Sequence, residues 1–235
     1  MKHLMVYGLQ RSGTNYVETL LPHNFRDISL ENVAYHRSLP LHKHFRPYDE
    51  MYYVPEPKYL NNFSYPHFDD FDAHVKRLTG KEELFYVVVV KEPYSWYISY
   101  CKLARKNRWP SYMPKWANQH YMVDYSLFCK KWLDFRRQAP EKVVILRYED
   151  ILKDMSGKLE DIRTRFGLEK VHEEYQNFSK VNMSKKFTST RRNYYLNKEF
   201  LDLFSDEELF VITENLEAGV VEELGYELIR RAKTP

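Results

Sequence analysis

Only two cysteines, Cys101 and Cys129, occur in 235 residues. That excludes a disulfide scaffold and a thiolate metal centre, and predicts two buried, inert thiols. Long apolar runs are also missing. The longest, Leu84 to Val90, falls far short of the ~20 residues a membrane-spanning helix needs. The first residues look like a strand, with no charged region leading into an apolar signal core. The chain is therefore expected to be cytoplasmic, with no membrane partner. Neither sign of charge dominates, since 36 Lys and Arg face 33 Asp and Glu. No nucleic-acid partner is expected, and any anion site has to be local. Glycine is scarce, seven in all, so a glycine at a tight place carries information. Repeats, low-complexity tracts and Gly/Ser linkers are absent.

What the chain does have is aromatic side chains, 20 Tyr and 14 Phe, and a strand-turn-helix unit that recurs. His3 to Leu9 is an apolar run, and beyond Gly13 the residues Tyr16, Val17, Leu20 and Leu21 repeat at helical spacing until Pro22, which is expected to stop them. Leu84 to Val90 holds four consecutive valines, the composition of a strand buried on both faces. Pro93 stands where a helix begins, and Trp96, Tyr97, Tyr100 and Leu103 continue it. Val143 to Leu146 starts a third unit, which passes through Arg147-Tyr148-Glu149-Asp150 into one helix carrying Ile151, Met155, Leu159, Ile162 and Phe166 up to Gly167. Strands alternating with helices predict an α/β fold with a central, mostly parallel sheet flanked by helices. Ser205 with Glu208 makes a capping box for a last helix whose stripe, Leu209, Ile212, Leu216 and Val220, runs to Gly225. The whole chain, 1–235, is expected to be a single domain with irregular insertions near 40–72 and 107–121.

Gly8-Leu9-Gln10-Arg11-Ser12-Gly13-Thr14-Asn15 places a glycine at each end of a turn that joins a strand to a helix. Such turns point backbone N–H groups inward, and the helix N-terminus adds partial positive charge, which together stabilise an anion. A magnesium-nucleotide P-loop has Lys and then Ser or Thr after its second glycine. Thr14 and Asn15 occupy those places, and the cation sits inside the loop as Arg11. The loop is accordingly read as an anion cradle without a metal.

Arg-Ser-Gly-Thr behind an apolar strand resembles the 5′-phosphosulfate loop of the sulfotransferases. A second match agrees: in that family a basic residue ends a later apolar strand and a serine follows eight positions on, and here those are Lys91 and Ser99. The Val-Val-Ile-Leu-Arg-Tyr-Glu-Asp segment at 143–150 and Glu-Leu-Gly-Tyr at 223–226 extend the resemblance over most of the chain. Two departures stand out. Lys91 replaces the usual Arg, keeping the charge and losing the bidentate fork, and the Arg-Lys-Gly signature is missing, with Lys185, Lys186, Arg191 and Arg192 available instead. The resemblance implies a three-layer P-loop-like domain and a sulfotransferase that uses 3′-phosphoadenosine 5′-phosphosulfate (PAPS) as donor and releases adenosine 3′,5′-bisphosphate (PAP), with no metal. Arg11, Ser12, Gly13, Thr14, Asn15 and Tyr16 would hold the nucleotide, and Lys91 with Ser99 its 3′-phosphate. Ser95, four residues before Ser99, shares that helical face.

Sulfuryl transfer needs an in-line acceptor, removal of its proton, and neutralisation of charge on the leaving phosphate oxygen. Arg11 suits the last role. Leu41-His42-Lys43-His44-Phe45-Arg46-Pro47 resembles the family's Lys-x-His-Leu-Pro segment, though Lys43 is adjacent to His44 and not two before it. His44 is the expected base and Lys43 the second cation, with His42 the alternate base and Glu18 or Glu92 as carboxylate candidates. Partners are expected to be small-molecule or carbohydrate acceptors. The aromatics Tyr52, Tyr53, Tyr59, Phe63, Tyr65, Phe68 and Phe71 either line an acceptor site or, the plainer use, pack a long loop. Two other activities fit the bare loop: a P-loop small-molecule kinase or nucleotide hydrolase, and a catalytically silent nucleotide-binding module.

Overall fold

The computed structural model describes residues 1–49, 59–108, 114–177, 180–182, 185–186 and 189–230, with the backbone alone for 114–118, 180–182 and 185–186. Tyr52 and Tyr53, and the side chains of Lys185 and Lys186, lie outside the described residues. The chain runs β1 (Lys2–Tyr7), α1 (Thr14–Asn24), β2 (Phe25–Arg26), β3 (Ile28–Leu30), α2 (Phe68–Thr79), β4 (Phe85–Val90), α3 (Pro93–Asn107) and α4 (Pro114–Gln138). It continues with β5 (Val143–Arg147), α5 (Tyr148–Lys153), α6 (Met155–Phe166), β6 (Glu169–Lys170), β7 (Lys180–Asn182), β8 (Lys185–Lys186) and α7 (Ser189–Leu196). A 3-10 turn at Glu199–Leu203, α8 (Asp206–Glu214) and α9 (Ala218–Glu223) complete it.

The central sheet has the order β3-β1-β4-β5 and is parallel throughout, with Val6 opposite Val87 and Val88 opposite Ile145. Every residue of β4 is buried, as a valine run between two helical layers requires. Because the strands are parallel, the segments that follow β1, β4 and β5 emerge at one edge. They are the loop 8–13, Lys91-Glu92 and Tyr148-Glu149, and the C-terminal edge of such a sheet is where α/β folds bind ligands.

Several boundaries differ from the sequence expectation. α1 runs through Pro22 to Asn24; a proline in the last turn forfeits a single N–H bond there, and the Asn24 side-chain amide donates back to the Leu20 carbonyl at 2.9 Å. The helix expected from Ile151 to Phe166 is two, because the Asp154 side chain accepts the Gly157 N–H at 2.9 Å and starts a new helix at Met155. A local cap outweighs an uninterrupted apolar stripe. The final helix is likewise divided. The capping box of Ser205 and Glu208 forms as expected, but α8 ends at Glu214, and α9 carries Val220 and Val221 into the core before Gly225 turns at φ 74. β3 was not foreseen, and α2 and α4 begin inside the stretches expected to be irregular.

The aromatic residues go mainly to the layer between the sheet, α2 and α4. Tyr7 and Trp132 lie 4.8 Å apart, Phe68 and Tyr86 5.4 Å, and Phe71 and Trp132 5.5 Å, all buried. Each such ring contributes about 1.5–3 kcal/mol by leaving water. Tyr65, Phe68 and Phe71 are thereby core residues, and Phe63 packs against them. Among the described residues no helix is long and apolar enough to cross a membrane.

Candidate functional site

The loop after β1 is built around missing side chains. A Cβ on Gly8 would stand 2.6 Å from the Val89 carbonyl and 2.4 Å from Ser12 Oγ, and one on Gly13 would meet the Tyr148 ring at 2.5 Å. Gly13 also has φ 106, and Arg11 takes a left-handed φ of 75, uncommon for a residue with a side chain. Ser12 N–H donates to the Leu9 carbonyl at 3.1 Å, and Trp96 Nε1 holds the Gln10 carbonyl at 2.9 Å. No side chain caps α1, so the helix presents its first N–H groups at the loop mouth. Ser12 Oγ is buried and has no hydrogen-bond partner among the described residues. A buried orphan hydroxyl beside an uncapped helix start is the signature of a cradle that fits an anion.

At the end of β4, Lys91 is 2% exposed. Its ammonium donates to Ser99 Oγ at 3.0 Å and lies 4.3 Å from the Tyr195 ring and 5.6 Å from that of Tyr148. Burial lowers its pKa, and the nearby Tyr195 and Glu149 pull the other way. Ser99 also bonds back to the Ser95 carbonyl at 2.9 Å, a habit of helix serines, so it orients Lys91 from a fixed position. Arg191 hydrogen-bonds Tyr195, whereas Arg192 is committed to the Leu152 carbonyl at 2.6 Å. Of the two arginines, Arg191 therefore joins the Lys91 cluster.

Glu92, a candidate base, does structural service. Its carboxylate accepts the Ser95 N–H at 2.7 Å and caps α3. Glu149 accepts the Glu92 N–H at 3.2 Å and the Tyr226 hydroxyl at 2.8 Å. Burial, with Glu149 nearby, pushes the Glu92 carboxyl up to about 8.

The segment carrying His42, Lys43 and His44 lies directly against the loop, since the Gly8 N–H donates to the Lys43 carbonyl at 3.0 Å. Lys43 Nζ donates to Asn15 Oδ1 at 2.6 Å and pairs with Glu18, both on α1. His44 Nδ1 is 2.6 Å from the Gly8 carbonyl, and His42 Nδ1 is 3.1 Å from the His44 N–H. These contacts assign the tautomers. A carbonyl only accepts, so His44 carries its proton on Nδ1 and its lone pair on Nε2. An N–H only donates, so neutral His42 has its lone pair spent on Nδ1 and its proton on Nε2. His44, His42, Lys43, Asn15, Glu18 and Arg37 line a cavity of about 380 Å³. Tyr16 opens a second cavity of about 310 Å³, with Ile151, Leu152 and Asn177. A larger groove of about 890 Å³ lies along the outer edge of β5. Its charged groups pair with each other, as in Arg137 with Glu223 at 2.6 Å and Lys158 with Asp161 at 2.9 Å.

The sequence did not single out the buried ion pair beneath this site. Arg46 Nη2 meets Asp124 Oδ2 at 2.8 Å with both side chains fully buried. The same guanidinium donates to the His44 carbonyl at 2.8 Å and to Gln10 Oε1 at 3.1 Å, and the Tyr48 hydroxyl also donates to Asp124. A signal did exist. Asp124 falls on the stripe Tyr121, Tyr125 and Phe128 of α4, and an acid on an apolar helical face needs a buried cation. Among the described residues no group of three or more His, Cys, Asp or Glu is placed to hold a metal ion.

A sulfotransferase-domain family model matches residues 1–209. Among solved structures, the mouse sulfotransferase SULT7A1, crystallised with PAP, superposes with a TM-score of 0.54 at 14% identity, over 96% of this chain and 89% of that one. That likeness is one of fold, a central parallel sheet flanked by helices in the P-loop-like arrangement. A sulfotransferase from Alicyclobacillus acidocaldarius aligns over 97% of each chain at 12% identity with a TM-score of 0.42. No curated protein gives a significant match. The family match spans the loop after β1, the Lys91 strand end and the His44 segment alike, and the chain belongs to the sulfotransferase family, a family of transferase enzymes.

Proposed function

We propose that residues 1–235 work as one sulfotransferase domain that takes its sulfuryl group from PAPS, passes it to a hydroxyl or amine acceptor and releases PAP. The observation that carries the donor assignment is the buried Lys91 ammonium, 3.0 Å from Ser99 Oγ, with no carboxylate among the described residues at ion-pairing distance. A buried cation with hydroxyls and rings around it, but no paired carboxylate, is electrostatically incomplete. A terminal 3′-phosphate, bringing about −1.5 to −2 charges at neutral pH, completes it, and Arg191 and Tyr195 stand ready to share the contact.

The cradle of Ser12, Gly13, Thr14 and Asn15 fits the 5′-phosphosulfate, and Tyr16 with its apolar neighbours Ile151 and Leu152 suits the adenine. Bound there, the donor supplies an activated sulfuryl group. The acceptor hydroxyl gives its proton to His44 Nε2 as its oxygen bonds to sulfur. The bond from sulfur to the phosphate oxygen breaks with its electron pair on that oxygen, where Arg11 and Lys43 meet the new charge. His42, whose Nε2 bears a proton, serves as a hydrogen-bond donor. The two free thiols, Cys101 and the buried Cys129, suit a reducing, cytoplasmic setting.

Calorimetry with two nucleotides tests this. PAP should bind at least about tenfold more tightly than AMP, the scale of one charge-assisted contact, and excess EDTA should not change that. Replacing Lys91→Ala and Ser99→Ala together should bring the two affinities close by weakening PAP, while AMP binding by the double variant shows that the cradle is still folded. A wild-type protein that binds AMP as tightly as PAP, or that needs a divalent metal for either, sinks the donor assignment. PAP binding without sulfuryl transfer to any acceptor would leave a silent nucleotide-binding module.

A further inference from the structure

The cavity beside the phosphate loop has little to offer an apolar acceptor. The aromatic residues of the 59–71 stretch went into the core, and Tyr59, the single ring among them that lines the cavity, already has Arg37 at 5.8 Å and Arg46 at 5.1 Å from its centroid. Among the described residues of that stretch, the one ring on the cavity wall is thus already engaged by two guanidinium groups, a poor platform for a phenol.

Among the described residues that line the same cavity, side-chain hydrogen-bond donors outnumber acceptors. Arg37 brings five N–H groups and no acceptor. It is exposed, and no carboxylate among the described residues pairs with it. The Lys43 charge is met by Glu18, and Asn15 Oδ1 is spent on Lys43, which leaves the Asn15 amide N–H groups to face the cavity. His42 offers Nε2–H. Against these stand His44 Nε2, which the reaction uses as its proton acceptor, and the remaining oxygen of Glu18. Among the described lining residues, with His44 neutral and Lys43 balanced by Glu18, Arg37 leaves one uncompensated positive charge. A ligand that satisfies this inventory supplies a hydroxyl for His44 and anionic oxygens for Arg37.

We propose that Arg37 is a specificity-determining residue that makes this site select alcohols carrying an anionic oxygen group, either a carboxylate or a sulfate ester. The proposal rests on the functional reading above. The anion is a handle, unchanged by the reaction; only the hydroxyl oxygen receives the sulfuryl group. A planar guanidinium grips either anion bidentately. Because Arg37 stands at the exposed rim, the preference should shrink as salt rises.

The test compares four acceptors with labelled donor: methyl glucuronide, a sulfated methyl glucoside, neutral methyl glucoside, and naphthol. The expected order of kcat/KM puts one or both anionic glycosides about tenfold or more above the neutral glycoside and naphthol, as one charge-assisted contact provides. Which of the two leads tells carboxylate from sulfate ester. Arg37→Ala should cut the ratio of anionic to neutral glycoside by about tenfold, and Arg37→Lys, which keeps the charge, should recover part of it. PAP affinity, measured alongside, separates the two levels of inference. If PAP fails to bind, the sulfotransferase reading falls and this proposal with it. If PAP binds but the neutral glycoside or naphthol is the best acceptor, or none of the four is used, or Arg37→Ala keeps the ratio, the proposal is overturned on its own.

Discussion

His44→Ala is expected to lower the sulfuryl-transfer rate by about 10² to 10⁴, the range that a positioned general base contributes, while PAP affinity stays where it was. The residue is singled out by its hydrogen bonds. The Gly8 carbonyl fixes the Nδ1 proton at 2.6 Å, so the lone pair is on Nε2 at the cavity, whereas His42 has its lone pair tied to the His44 N–H. His42→Ala should therefore cost much less, acting through the lost support of the His44 backbone. The pH dependence carries a sign. Burial holds the His44 imidazole well below its ordinary value, the Gly8 carbonyl opposes that, and the neighbouring His42, Lys43 and Arg46 add to the depression. The folded protein thus keeps His44 neutral under mild acid, and, with His44 as the proposed base, the acid limb of kcat/KM should lie below the ~6.5 of an unperturbed histidine. The same shift affects stability. Below ~6.5 the unfolded chain takes up a proton that the folded chain refuses, so His44 lowers stability as pH falls and leaves it unaffected above that. His44→Ala should flatten this part of the stability profile. An inactive His42 variant beside an active His44 variant would reverse the assignment.

The parts of this site that the sequence makes legible are those whose cause is local. Gly8 and Gly13 are conspicuous in a chain with seven glycines, and the positions are forced by the Val89 carbonyl and the Tyr148 ring. Lys91 and Ser99 lie one strand end and two helical turns apart, so spacing alone brings them to 3.0 Å. Tyr195, which covers Lys91, comes from α7, far along the chain. Nothing near residue 91 announces it. β3 is three residues, Ile28–Leu30, with a serine in the middle, too short for alternation to register. The aromatic stretch shows the limit most clearly. Stacking on a ligand and packing in a core use the same ring surfaces, and only the positions of Trp132 and Tyr86 decide that Phe71 packs. The choice between His42 and His44 is equally non-local, because it rests on which ring reaches the Gly8 carbonyl.

Asp124→Ala is expected to destabilise the protein by about 3–5 kcal/mol, the usual consequence of leaving one member of a buried ion pair alone. Arg46 is fully buried. Burial works against its charge, and Asp124, with Tyr100 and Tyr59 nearby, holds its pKa above the usual value. Removing the carboxylate strands a guanidinium that no solvent reaches and leaves the Tyr48 hydroxyl only its long, 3.4 Å bond to the backbone carbonyl of residue 124. Denaturant titration at neutral pH measures the loss; a change under 1 kcal/mol would mean that the pair is not the strut the structure shows. The double variant Arg46→Met, Asp124→Leu separates stability from function. Replacing both charges by apolar groups of similar volume is often neutral for folding, so most of the lost stability should return. Sulfuryl transfer should not recover. In the native protein one guanidinium donates to the His44 carbonyl and to Gln10 of the loop after β1, and so fixes His44 relative to that loop. A methionine has no donors to do this. The double variant should therefore fold and bind PAP while its kcat drops by about 10² or more, since misplacing a reacting group by ~1 Å costs on that order. A stable double variant with native kcat would show that the pair serves folding alone.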